Sequence, residues 1–259
     1  AGDVVGKTGR KILMKGLEYL RTNNEFDLIV VNIENAAAGF GVTPDIANKL
    51  LGVGVDVLTS GNHIWDKKEI LNYLDTEPRL LRPANYPHSC PGTGSVIMTT
   101  NSGVKIAVIN LQGRVFMPLI DCPFQSIDRE LNALKGKTNL IIVDLHGEAT
   151  SEKMALGWHL DGRVSAVVGT HTHVPTADER IMPKGTAYIT DLGMCGSYDS
   201  VIGIEPETSL PRFLKAMPTR FEPATSNPWM CGVTIDIDEN TGLATDIKRF
   251  KLTEETLSG

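Results

Sequence analysis

The stretch NLIIVDLHGEATSEKMALGWHLDGRVSAVVGTHTH, residues 139–173, decides how this chain is read. Residues 139–144 form an apolar, β-branched run, the pattern of a buried strand. Residues 150–160 read as a helix and 163–168 as a second buried strand. Strand, helix, strand at this spacing predicts a right-handed crossover between parallel strands. His146 follows the first strand, and His171-Thr172-His173 follows the second. Both therefore leave the carboxyl ends of strands, where open α/β sheets bind their ligands.

The same alternation extends outward. Residues 9–23 carry Ile12, Leu13, Leu17 and Leu20 at helical spacing. Residues 26–32 and 55–60 read as buried strands, separated by a helix over 43–53 with Thr43 as cap before Pro44. Trp65 to Leu74 reads as a third helix, and 126–135 as a fourth. Residues 94–100 and 104–110 predict a hairpin around Asn101-Ser102-Gly103. Near the other end, 232–238 and 243–250 alternate apolar with polar, which predicts an antiparallel edge hairpin. No repeat, low-complexity tract or linker interrupts the pattern, so one α/β domain over 1–259 is expected. If Asp3 ends a strand, most of that strand precedes residue 1, and a truncated or processed start is expected.

Composition narrows the function. The 259 residues carry a net charge of −6, with 22% charged and 41% hydrophobic residues. These values exclude a disordered or collagenous chain. The acidic balance argues against an extended nucleic-acid surface, which needs Lys and Arg, but not against a small anionic substrate. Cys90, Cys122, Cys195 and Cys231 lack metal-knuckle or redox-motif spacing, so free, buried, reduced thiols and a cytoplasmic location are expected. No apolar run nears the ~18 residues of a membrane span, and no signal peptide is visible.

Five segments that follow predicted strands carry polar side chains: Gly2-Asp3, Asn32-Ile33-Glu34-Asn35, Gly61-Asn62-His63, Asp144-Leu145-His146-Gly147-Glu148 and Gly169-Thr170-His171-Thr172-His173. Each has a plainer reading alone. Asp3 fits a simple turn, Asn62 a helix cap, and His146 a satisfied core histidine. A Glu34 that ends a buried strand needs a partner in any case. Together they are harder to dismiss, because four of the six histidines share one topological position. His88 and His159 lie elsewhere and read as structural. A His, Asp, Glu and Asn set without Cys suits Mn, Fe, Ni, Co or Zn. It is large enough for two ions that share a carboxylate about 3.5–4 Å apart.

Gly2-Asp3, Gly61-Asn62-His63 and Gly169-Thr170-His171-Thr172-His173 resemble the signature blocks of the calcineurin-like metallophosphoesterases. The closer likeness is to the YmdB-like bacterial phosphodiesterases. It runs through Val31-Asn32-Ile33-Glu34-Asn35-Ala36, Gly39-Phe40-Gly41, Arg82-Pro83-Ala84-Asn85-Tyr86, Gly113-Arg114-Val115-Phe116-Met117, residues 146–153 and Ile189-Thr190-Asp191-Leu192-Gly193. Two departures from the wider superfamily fit that branch. Asp3-Val4-Val5 lacks the usual histidine, and Glu34-Asn35 replaces the usual bridging aspartate. The resemblance implies a sandwich of central sheets flanked by helices. One ion would be held by Asp3, Glu34, Asn35 and His173, and the other by Glu34, Asn62, His146 and His171. Iron or manganese is favoured, with zinc, magnesium and cobalt as alternatives. The implied substrates are small phosphodiesters, cyclic nucleotides including the 2′,3′-cyclic kind among them.

The expected chemistry is attack on phosphorus by a metal-bridging hydroxide. His63, next to ligand Asn62, is the candidate general acid. Arg114 is the candidate phosphate-binding residue, against a reading as an ordinary surface arginine. Asp144 and Glu148 are candidates to orient the ligand imidazoles. Two other functions fit the same residues: a phosphomonoesterase or nucleotidase, and a catalytically weak metal-binding regulatory protein. No membrane or nucleic-acid partner is expected, and a homo-oligomer is compatible with the sequence.

Overall fold

The structure, a computed structural model, describes residues 1–258. In chain order the elements begin with β1 (Asp3–Val4), α1 (Gly6–Asn23), β2 (Val30–Asn32), α2 (Pro44–Gly52), β3 (Val57–Thr59), a 3-10 turn (Asn62–Trp65) and α3 (Ile70–Leu74). The hairpin strands β4 (Ser95–Thr99) and β5 (Lys105–Gln112) follow, then α4 (Pro123–Leu134), β6 (Leu140–His146), α5 (Thr150–Leu160) and β7 (Ala166–Thr170). The chain continues through β8 (Arg180–Ile181), β9 (Ala187–Ile189), β10 (Met194–Ser197), α6 (Pro206–Lys215), β11 (Pro228–Ile237) and β12 (Ala244–Thr253).

Three sheets result, ordered β4-β5-β6-β7-β9-β8, β1-β10-β11-β12 and β2-β3. β5, β6, β7 and β9 pair in parallel, as the crossover reading requires. Their apolar runs are buried because both faces are covered. On one face, Ile127 and Leu134 of α4 and Leu156 and Leu160 of α5 pack on Ile109, Val143 and Val167. On the other, Ala166, Val168 and Ile189 meet Val233, Ile235 and Ile247 of β11 and β12. Helix α1 buries Ile12, Leu13 and Leu17 with Leu50 of α2 and leaves Lys11 and Lys15 exposed.

The expected hairpins form, and β12 is the edge of its sheet. Other expectations are revised. The helix read over Trp65–Leu74 divides into the 3-10 turn and α3. Close approach of Gly41 to Asp66 and Lys67 occupies the gap between them. The strand read over 26–32 is ordered as such only from Val30, and His146 closes strand β6 rather than opening a loop. Strands β8, β9 and β10 and helix α6 add elements that the sequence pattern did not mark. All four cysteines are free, but Cys90 and Cys122 are only half-buried. No helix among the described residues is long and apolar enough to cross a membrane.

Candidate metal centre

Strand ends bring most of the expected residues together. β1 runs parallel to β10 and delivers Asp3, which is fully buried. β2 ends at Asn32 and is followed by Glu34 and Asn35, both buried. β3 leads into Gly61 and Asn62. β6 ends on His146, and the segment after β7 carries His171 and His173. The approach is tight: a Cβ on Gly61 would lie 2.0 Å from His146 Cδ2, so only glycine lets Asn62 sit beside that ring.

At the centre, His146 Nε2 lies 2.9 Å from Glu34 Oε1 and 3.0 Å from His171 Nδ1. The ligating atoms of Glu34, His146 and His171 all lie within 4.8 Å of one another. The hydrogen-bond network assigns the tautomers. Thr170 donates its hydroxyl proton to Asp144 Oδ1 at 2.7 Å, so at 3.0 Å it accepts from His146 Nδ1–H. His171 Nε2 is 3.1 Å from Glu148 Oε2, which leaves His171 Nδ1 facing inward as a lone pair. Inward, then, point a carboxylate oxygen and two imidazole nitrogens.

The opposite side repeats the pattern. His173 donates Nδ1–H to the Ile202 carbonyl at 2.8 Å, and its Nε2 lies 3.3 Å from Asn35 Oδ1. Asn35 is oriented by its Nδ2, which donates to the Gly39 carbonyl at 2.9 Å. Asp3 Oδ2 accepts the His171 backbone N–H at 3.1 Å, while Asp3 Oδ1 and Asn62 Oδ1 are buried and accept no hydrogen bond, with His146 Nδ1 3.8 Å from Asp3 Oδ1. Buried acceptors that receive no hydrogen bond are costly. They are the donor set that cations satisfy, so these residues fit a metal centre.

The electrostatics agree. Burial pulls His146 down, but Glu34, Asp3 and Asp144 outweigh it and raise its pKa to about 9. Burial pushes Glu34 up, but His146 and His63 hold it at about 2. Burial raises Asp3 to about 6 against the opposing pull of His173 and His146. Burial, reinforced by the charge on His146, lowers His171 to about 3. Without a cation the cluster keeps one proton near Nε2 of His146.

His63 lies at the rim, half-buried. Its backbone N–H donates to Glu34 Oε2 at 3.0 Å, and its Nδ1 pairs with Asp66 Oδ2 at 2.8 Å. The Phe40 ring packs against the imidazole with centroids 5.0 Å apart. Arg114 is not gathered into the cluster. Its backbone N–H donates to Glu152 and its guanidinium to Cys122 Sγ at 3.4 Å. Its loop is nevertheless adjacent, because Gln112 pairs with His146 and the Gly113 N–H donates to the His146 carbonyl. Glu148 meets a ligand imidazole directly. Asp144 reaches His146 through Thr170 and Asn32 rather than directly. Sequence reasoning passed over Asp66, Asn32, Thr59 and Thr170. Asp66 had a readable signal, the i, i+3 spacing that stacks side chains in a 3-10 turn. The three others bond Asp144, a contact visible only once β2, β3 and β7 are assembled.

An α/β chain whose strand ends converge on buried oxygen and imidazole groups that could hold a metal ion has the build of a hydrolytic enzyme acting on phosphoesters. The chain belongs to the YmdB-like protein family, which matches residues 1–250. It is 48% identical over 254 residues to the Bacillus subtilis 2′,3′-cyclic-nucleotide 2′-phosphodiesterase, covering 98% of this chain and 96% of that protein. Among solved structures, one titled as a novel phosphatase of Mycoplasma pneumoniae superposes with a TM-score of 0.91 at 38% identity, covering 100% of this chain and 94% of that one. A hypothetical protein from Thermus thermophilus matches with the same score at 40% identity, covering 97% of each chain.

Proposed function

We propose that the protein is a metal-dependent phosphodiesterase, built on a calcineurin-like sandwich, that hydrolyses small phosphodiesters, 2′,3′-cyclic nucleotides first among them. The observation that carries the reading is the convergence of inward-facing acceptors on Glu34, His146 and His171 beside the oxygens of Asp3 and Asn62 that accept no hydrogen bond. One cation, iron or manganese, would be held by Asp3, Glu34, Asn35 and His173, and a second by Glu34, Asn62, His146 and His171. When bound, two such ions supply Lewis-acid activation of the phosphoryl group and of the attacking water.

The chain's own residues supply the rest. Glu34 touches the second group of ligands twice, at His146 through Oε1 and at the turn that carries Asn62 through the His63 N–H on Oε2, and its charge acts on Asp3 of the first. His63 holds a proton at Nε2 for the leaving oxygen. Asp66 on Nδ1 and Phe40 against the ring fix its direction. If the reaction follows the name of the Bacillus relative, the bond from phosphorus to the 2′-oxygen breaks and that oxygen takes the His63 proton. Arg114, on the loop beside His146, is assigned to the phosphate, where a guanidinium can bond two oxygens at once. A cytoplasmic location fits the four free cysteines.

Initial rates on 2′,3′-cyclic AMP, bis-p-nitrophenyl phosphate and p-nitrophenyl phosphate test this. Diesters turned over faster than the monoester are expected. A preference for the monoester would favour a phosphomonoesterase, and bound metal without hydrolysis of any of the three would favour a regulatory protein.

A further inference from the structure

The candidate ligands His171 and His173 sit on a turn that the backbone resists. Their φ angles are 101° and 65°, in the left-handed region that side-chain-bearing residues seldom enter. Such conformations persist where the surroundings over-determine them. Beneath this turn lies a group that the proposed chemistry does not use. Lys153 of α5 is 1% exposed, and its partner Asp191, between β9 and β10, is 0% exposed. Their charges meet at 2.7 Å.

The pair's remaining bonds all go to backbone around the site. Lys153 Nζ donates to the Thr170 carbonyl at 2.7 Å. Asp191 Oδ2 accepts the Thr172 N–H at 3.1 Å. One bond thus grips the turn just before His171, and the other grips the residue between the two histidines. Asp191 Oδ1 accepts the Gly193 N–H at 2.8 Å, and the Gly193 carbonyl accepts the Asp3 N–H at 3.1 Å. The fit is close, since a Cβ on Gly169 would lie 1.7 Å from the Thr190 carbonyl oxygen and 3.1 Å from Lys153 Cδ. A buried ion pair adds little net stability over an apolar pair of like volume. What it adds here is direction, because each charge anchors a specified backbone group.

We propose that Lys153 and Asp191 are positioning residues, a buried clamp that sets the His171-Thr172-His173 turn and the Asp3 strand in ligand geometry before any cation arrives. The inference rests on the reading of His171 and His173 as ligands. Supporting groups of this kind typically alter metal affinity by about 10–100-fold.

The test uses the full chain stripped of metal. In the K153M/D191N double variant both charges leave together, so neither is stranded. Circular dichroism and thermal unfolding should show the fold kept, while Mn2+ titration should show a Kd raised by about 10–100-fold. A second measurement needs no substitution. In the metal-free wild type, amide hydrogen exchange over 170–173 should already be slow and should barely change on Mn2+ addition. Wild-type Mn2+ affinity in the folded double variant, or amides protected only after Mn2+ is added, overturns the clamp. If the double variant does not fold, the exchange measurement decides. If the wild type takes up no Mn2+, the ligand reading fails, and the same exchange still judges whether the pair holds the turn.

Discussion

Raising the pH from 7.0 to 8.5 should tighten Mn2+ binding to the metal-free protein by about 25-fold. The reasoning starts at His146 Nε2. Burial opposes a proton there, but Glu34 at 2.9 Å, with Asp3 and Asp144, keeps it and lifts the pKa to about 9. A cation that takes Nε2 must displace that proton. Well below pH 9, each unit of pH therefore changes apparent affinity by about tenfold, less as pH 9 is approached, and the sign favours binding at higher pH. Glu34, at about 2, and His171, at about 3, are already deprotonated, and Asp3, at about 6, contributes a second proton only in more acidic solution. Isothermal titration at pH 7.0, 7.75 and 8.5, in buffers of different ionisation enthalpy, reads both the Kd and the proton count. A flat Kd with no proton released would refute the pairing of His146 with Glu34 as the state that the cation replaces.

Three substitutions probe the same centre. Glu34→Gln should empty both cation positions and abolish turnover; elemental analysis with kinetics checks this, and near-normal activity with full metal content would rule out a shared ligand. His63→Ala should leave metal content unchanged and slow cyclic-nucleotide hydrolysis by about 10²–10⁴-fold. The loss should be smallest for p-nitrophenyl esters, whose leaving groups need no proton, and an emptied site would make His63 a ligand instead. Gly61→Ala puts a Cβ 2.0 Å from the His146 ring. It should cost about 1–3 kcal/mol of stability, read by denaturant unfolding, and weaken Mn2+ binding about tenfold or more. A variant with wild-type values of both would contradict the packing described.

The sequence was most legible where local pattern and burial coincide. β5, β6 and β7 have long apolar runs, and the polar residues that end them stand out against what precedes. The His146 and His171-Thr172-His173 groups were visible for that reason, and Gly61-Asn62-His63 because it follows the apolar run that enters β3. β8, β9 and β10 were not. They are two to four residues long; β9 and β10 owe their pairing to distant neighbours, β9 on β7 and β10 between β1 and β11, and the two-residue β8 pairs only with β9. α6 was hidden by Pro206 and Pro211. At the site, candidate ligands could be picked out by residue type, whereas their support could not. Thr170 reads as an ordinary strand residue until Asp144 and His146 flank it. Lys153 reads as a solvated helix lysine until α5 docks and encloses it.

The split between legible and illegible residues follows a physical division within the molecule. The surrounding polar residues pair off: Asn32, Thr59 and Thr170 bond Asp144, and Lys153 and Asp191 bond each other and the adjacent backbone. The inner atoms do not pair off. Asp3 Oδ1 and Asn62 Oδ1 accept no hydrogen bond, and His173 Nε2 lies 3.3 Å from Asn35 Oδ1. A soft scaffold would relax such a cluster, by rotating an amide or letting a carboxylate find a donor. Here Asn35 is held by Gly39, Asp3 by the His171 N–H, and His146 by Thr170, so each relaxation is opposed by a bond already made. The satisfied layer therefore sustains the unsatisfied one, and the cost of burying unpaired acceptors is held in reserve for cations. Any ligand that relieves it binds the folded state alone and stabilises the whole domain by mass action. The polar atoms that look least stable in this fold are those through which binding and stability are coupled.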